Sequence, residues 1–141
     1  MSVAAVLLPL FVQIALTFVL YLSMAYYRVT LLRSGTVAAR DVALRQPNWP
    51  PHVLQVANAA HNQLETPVLF YVLCLLAIVT GKADLLFVVL SWIYVLARLA
   101  HAFIHVTSNR VQIRGPAFGL SLVVLMAMWL MFAARILSTL A

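Results

Sequence analysis

Four runs of this chain are long and apolar enough to cross a bilayer as helices: Val3–Tyr27, Val53–Thr80, Leu85–His105 and Pro116–Leu137. Crossing the hydrocarbon takes about 20 helical residues at about 1.5 Å of rise each. No other feature constrains the fold as much, because backbone polar groups in lipid must find their partners within the protein. Composition agrees: 65% of the 141 residues are hydrophobic and 9% are charged. A soluble domain of this size cannot bury that much apolar surface. No basic region precedes the first run, and it is too long for the core of a cleaved signal, so it reads as a permanent span. The expectation is one domain, residues 1–141, an all-α four-transmembrane-helix bundle in a multi-pass integral membrane protein.

The connections set its orientation. The first, Arg28 to His52, carries Arg28, Arg33, Arg40 and Arg45 against Asp41. The second is a tight hairpin, Gly81 to Asp84, in which Lys82 and Asp84 cancel. The third, Val106 to Gly115, carries Arg110 and Arg114. An even number of spans puts both termini on one side. The basic bias puts the first and third connections in the cytoplasm, so the N- and C-termini lie on the non-cytoplasmic side. Arg135, near the outer end of the last span, can snorkel to headgroups. The net charge of +6 is scattered rather than clustered. It points to lipid headgroups or an anionic ligand and not to nucleic acid. Pro9 suits a first turn, Pro116 a helix start, Gly81 a helix stop, and QPNWPP a turn-rich entry to the second span. Cys74 is the only cysteine, sits in an apolar run, and reads as packing.

One segment resists the apolar pattern. AHNQLETP, Ala60 to Pro67, places His61, Asn62, Gln63 and Glu65 inside the second span. A carboxylate at mid-helix costs about 2.5–3.5 kcal/mol on insertion scales, so it faces protein or water. On a straight helix Gln55, Asn58, His61, Asn62 and Glu65 share an arc of roughly 120°, and Gln63 points elsewhere. Pro67 removes an N–H and frees a carbonyl near Gln63, which favours a kink. In the third span Ser91, Tyr94, Arg98, His101 and His105 fall within roughly 80°. The two spans run antiparallel through a short hairpin, so the stripes are expected to face each other with Arg98 close to Glu65.

Polar residues in spans also glue helices, at ~0.6–2 kcal/mol per hydrogen bond. A lone Glu–Arg pair would read as structural. The two stripes, with Arg110 and Arg114 at the cytoplasmic mouth, hold more donors and acceptors than gluing requires. They describe a polar pocket for a small anion. A metal site is disfavoured: HxxxH without an intervening Glu is a weak signal, and Arg98 would repel a cation. A proton relay has no continuation through the apolar outer halves. A protein nucleophile has no serine beside a base, and Cys74 is too far along the helix. Arg114 precedes Gly115–Pro116, the expected start of the last helix, where a guanidinium and the helix dipole together would stabilise a thiolate.

At these residues the chain resembles the MAPEG family, the membrane-associated proteins of eicosanoid and glutathione metabolism. NAAHNQLETPVLFY is similar to the family's second-helix signature, with Asn62 and Glu65 in the places of its Asn and Glu. RLAHAFIHVTSNRVQIR is similar to the third-helix stretch, with Arg98, His101, Arg110 and Arg114 in its basic positions. The likeness spans nearly the whole chain. It implies a homotrimer of four-helix protomers that binds glutathione as co-substrate between neighbours near the cytoplasmic side. Asn62, Glu65, Arg98 and Arg114 would contact the tripeptide, with Arg114 nearest the thiol and thus the catalytic candidate. With the polar stripes, the candidate binding residues are Asn58, His61, Asn62, Glu65, Arg98, His101, His105, Arg110 and Arg114. The implied activity is a glutathione-dependent transferase or peroxidase acting on lipophilic electrophiles or lipid hydroperoxides that arrive laterally from the membrane lipids.

The chain departs from the signature at four places. Asn58 replaces an arginine, His105 and Phe118 replace tyrosines, and Gly115 replaces a serine. The motifs ETPVLFY and RxxHxxxHxxxNRVxxR resemble a bacterial branch of the family, which implies a bacterial inner membrane. The alternatives are a non-catalytic ligand-binding or assembly protein that keeps the pocket, and a structural subunit locked by Glu65–Arg98.

Overall fold

The computed structural model describes residues 1–44 and 48–138. Arg45, expected above to meet headgroups, and Gln46 and Pro47 of the turn-rich entry lie outside the described residues. The helices are α1 (Val3–Arg33), α2 (Pro51–His61), α3 (Thr66–Val79), α4 (Leu85–Val106) and α5 (Val111–Leu137), and the described residues contain no strand. Four spans result, because α2 and α3 make one interrupted crossing from Pro51 to Val79. The all-helical, four-span architecture expected from the apolar runs is the one observed.

Two helices exceed the apolar runs that suggested them. Helix α1 continues past Tyr27 to Arg33, and its 31 residues reach about 46 Å, well beyond the hydrocarbon. No residue in 28–33 breaks a helix. The stop comes at Gly35, whose φ of 71° suits a left-handed cap. Helix α5 starts at Val111, not at Pro116, so the third connection shrinks to residues 107–110. Pro116 and Pro9 both lie inside their helices, beyond the first turn. Apolarity measures what lipid accepts, whereas helix length is decided by caps, and the two diverge wherever a helix enters water.

The crossing formed by α2 and α3 breaks where expected. Asn62–Leu64 form a 3-10 turn, Glu65 adopts φ −98°, ψ −108°, and the helix resumes at Thr66. Pro67 stands at the second position of the new helix, where its missing N–H is harmless. Gln63 leaves the polar arc, as the helical spacing required. It is fully buried against α1, where Gln13 Nε2 donates to Gln63 Oε1 at 2.8 Å and Gln63 Nε2 donates to the Ala59 carbonyl at 3.0 Å. Gln63→Leu would strand the buried Gln13 amide. The expected loss is about 1 kcal/mol in reversible unfolding from mixed micelles, recovered in the Gln13→Leu/Gln63→Leu double variant.

Helix α4 packs against α5, α1 and α2. The main core lies in the hairpin-side half, where Phe70 stacks on Tyr94 at 4.6 Å among Leu73, Phe87, Leu125 and Met128. Toward the other end the cluster is built from small residues, with Ala59, Ala60 and Ala102 packed around Leu20, and these let backbones approach.

Met1 and the last turn of α5 both reach the hairpin. The Met1 amine donates to the Ala83 carbonyl at 3.4 Å. Arg135 donates to the Lys82 carbonyl at 3.1 Å and to Asp84 Oδ2 at 2.5 Å. Arg135 therefore turns onto the hairpin and pairs with Asp84. Asp84 also caps α4 by accepting from Phe87 N–H at 2.9 Å. The Arg135 guanidinium, followed by that N–H, holds the Asp84 carboxyl below the usual carboxylate range. A depressed carboxylate stabilises the fold above its unfolded pKa of about 3.9, and the contribution vanishes as pH falls through the folded value. The Asp84 side chain is half exposed, so Asp84→Asn, which keeps the cap, should lose at most about 1 kcal/mol. In thermal unfolding that deficit should be present at pH 7 and absent below the pH at which Asp84 protonates.

Candidate functional site

The polar stripe of α4 forms as the spacing required. Ser91, Tyr94, Arg98, His101 and His105 are all buried. The stripe on α2 does the opposite within a single protomer: Asn58, His61 and Glu65 are exposed and Asn62 is half-buried. One hydrogen bond joins the two. Arg98 Nη2 donates to the Asn62 main-chain carbonyl at 2.9 Å. Glu65 lies near enough for its charge to act on Arg98, but the two do not form the expected contact ion pair: the ion pairs among the described residues are Arg40–Asp41 and Arg135–Asp84. The cause is local. The straight-helix projection assumed unbroken geometry through Glu65, but the backbone turns there and swings the carboxylate outward. The break also presents a carbonyl, and the buried guanidinium takes it.

Glu65 instead forms part of a cleft at the end of the bundle away from the hairpin. Two adjoining hollows, of about 450 Å³ and about 250 Å³, share Asn62, Glu65 and Arg114. The larger is completed by Asn58, His61, His105 and Asn109. The smaller is completed by His101, Val111, Gly115 and Phe118. The larger falls within the range of small-molecule sites, about 300–1,000 Å³, and the smaller extends it. Of the nine binding candidates only Arg98 and Arg110 line neither hollow. Arg110 is exposed at the N-cap of α5. Arg98 is fully buried behind Phe118, whose ring lies 5.6 Å from the guanidinium carbon.

Arg114 is anchored twice. Its Nη1 donates to Asn109 Oδ1. Its main-chain carbonyl lies 3.1 Å from His101 Nδ1. A carbonyl can only accept, so that ring nitrogen carries the proton. Arg114 sits in the fourth helical position of α5, one turn past the Arg110 cap, so the open N–H groups of the helix start lie a turn earlier than expected. Asn109 was not singled out from sequence. It holds φ at 49°, a left-handed conformation that asparagine tolerates better than most side chains, and its N–H donates to the Ile104 carbonyl at 2.7 Å. The signal was present as an Asn between two helical patterns, directly ahead of a basic run.

His101 and His105 stand edge to face with ring centroids 5.7 Å apart. Among the described residues no three His, Cys, Asp or Glu side chains gather into a group able to hold a metal ion. Chemically the cleft offers one carboxylate, one guanidinium, amide groups and imidazole edges, on a face that a lone protomer leaves open. The MAPEG family model matches residues 6–134 of the 141. No curated protein and no solved structure matches the chain.

Proposed function

Because this chain belongs to the MAPEG family, we propose that the cleft binds glutathione and that the protein is a glutathione-dependent transferase or peroxidase for lipophilic electrophiles or lipid hydroperoxides. The observation that carries this reading is the pairing of Glu65 and Arg114 on shared walls of one open polar cleft. Glutathione has an ammonium, two carboxylates and a thiol. Glu65, which has no ion pair among the described residues, complements the ammonium. The amides of Asn58 and Asn62 are neutral donors for carboxylate oxygens. Arg114 faces the thiol and favours its thiolate, as a fixed cation lowers a thiol pKa from about 8.5. Its two anchors hold it in place before the ligand arrives, which is the condition for electrostatic stabilisation without reorganisation. In the transferase reaction the thiolate sulphur forms a bond to the electrophilic carbon, and the leaving group departs with its electron pair.

The same geometry favours a homotrimer. Asn58, His61 and Glu65 are exposed on a membrane-spanning segment, and polar side chains of that kind do not face hydrocarbon. A neighbouring copy covers them and closes the cleft. The open mouth then faces the cytoplasm, with both termini outside, in a bacterial inner membrane.

One observation supports the non-catalytic reading as well. The wall beside Arg114 carries Gly115 and Phe118, so no hydroxyl assists the guanidinium there. A titration of the purified protein with glutathione separates the readings. Stabilisation in thermal unfolding at millimolar ligand, with growth of the ultraviolet thiolate band, supports the enzyme. Stabilisation without thiolate supports a binding protein. No stabilisation removes both.

A further inference from the structure

Arg98 is fully buried. Its Nε and Nη1 have no hydrogen-bond partner among the described residues, and its one hydrogen bond runs from Nη2 to the Asn62 carbonyl. That carbonyl sits where the helix is interrupted, between the last turn of α2 and the displaced backbone of Glu65. Asn62 and Glu65 both line the cleft, and so does Phe118, whose ring lies 5.6 Å from the guanidinium carbon.

We propose that Arg98 is a positioning residue that sets the cleft from behind: by holding the Asn62 carbonyl it keeps the interrupted helix open, and so aims the Asn62 amide and the Glu65 carboxylate at the ligand. A broken helix in an apolar surrounding has main-chain groups without partners, and the chain lowers its free energy by closing the gap or by finding a donor. A buried guanidinium needs an acceptor equally, because an unpaired charge in a span is costly. Each satisfies the other, and the geometry of the break becomes a property of Arg98. The ligand arm of this inference rests on the proposed glutathione site, whereas its backbone arm does not.

The test uses the full chain in lipid nanodiscs. The backbone arm is hydrogen exchange without ligand. Arg98→Met should raise exchange of the amides between Leu64 and Val68 about tenfold, and Arg98→Lys, which offers one N–H to the same carbonyl, should restore most of the protection. Unchanged exchange in Arg98→Met overturns the proposal. The ligand arm compares glutathione, its glycyl ethyl ester, and an analogue lacking the γ-glutamyl α-carboxylate. A positioning role predicts the same loss of affinity, about tenfold, for all three, and a smaller loss when Glu65 is already glutamine. A direct contact predicts that the loss disappears for the analogue lacking the carboxylate that Arg98 holds, and that result also overturns the proposal. If Arg98→Met does not assemble, Arg98→Gln is measured in both arms with the same signs. If the unmodified protein does not bind glutathione, the proposed function falls and the exchange arm alone decides for or against Arg98.

Discussion

Replacing Arg114 by methionine is expected to lower kcat/KM for conjugation of glutathione to a chlorodinitrobenzene probe by about 10²–10³-fold, the scale seen when one preorganised electrostatic group is removed from a reacting centre. Methionine keeps most of the volume and removes the charge. Arg114 Nη1 donates to Asn109 and its carbonyl accepts from His101. The main-chain contact survives the substitution, so the cleft should keep its shape. The pH profile supplies the sharper reading. With Arg114 in place, the rate should plateau once the bound thiol ionises, below the ordinary thiol value of about 8.5. In the variant that limb should move to higher pH, and assays run above it should recover part of the lost rate. Lysine should restore an intermediate rate, because it keeps the charge but lacks the planar fork. An unchanged pH profile, with the rate loss confined to KM, would show that Arg114 binds the peptide and does not activate its sulphur.

The second large effect is expected at Glu65. Glu65→Gln should weaken glutathione binding by at least about 30-fold, because the ligand ammonium would then be desolvated against a neutral amide, a loss of about 2 kcal/mol or more. Stability of the protomer fold should hardly change, since the Glu65 carboxylate has no ion pair among the described residues. Isothermal titration and thermal unfolding on the same preparation separate the two effects. The reverse outcome, an assembly that loosens while the remaining protomers bind normally, would return Glu65 to the role of a structural lock. That role already lost its expected partner when Arg98 was found on the Asn62 carbonyl.

Much of the site was legible as residue types at helical spacing. The α4 stripe survived intact because α4 is an unbroken helix, and the 100° rule holds over its whole length. The α2 stripe kept Asn58, His61, Asn62 and Glu65 on one cleft wall. Beyond Asn62 the 3-10 turn and Pro67 change the rotation per residue, so Glu65 acts on Arg98 by charge without the ion pair that a straight helix suggests. Gln63 shows the converse. The spacing correctly removed it from the stripe, but its partner, Gln13, lies 50 residues away on α1, and no local pattern joins them. Asn109 escaped notice because its role depends on a left-handed backbone that exists only once α4 and α5 have packed.

The sequence by itself determined that this is a four-span helical membrane protein, that its polar residues gather toward one end, and that its motifs are those of the MAPEG family. These follow from hydrophobic run length and period, which depend on near neighbours alone. Only the tertiary structure decided which polar groups touch. It gave Arg98 a carbonyl to donate to, left Glu65 on the cleft wall without an ion pair among the described residues, and drew Arg135 onto Asp84. The physical reason is that a buried charge takes the best acceptor within reach. Reach is set by where helices break and cross, not by where residues stand along the chain.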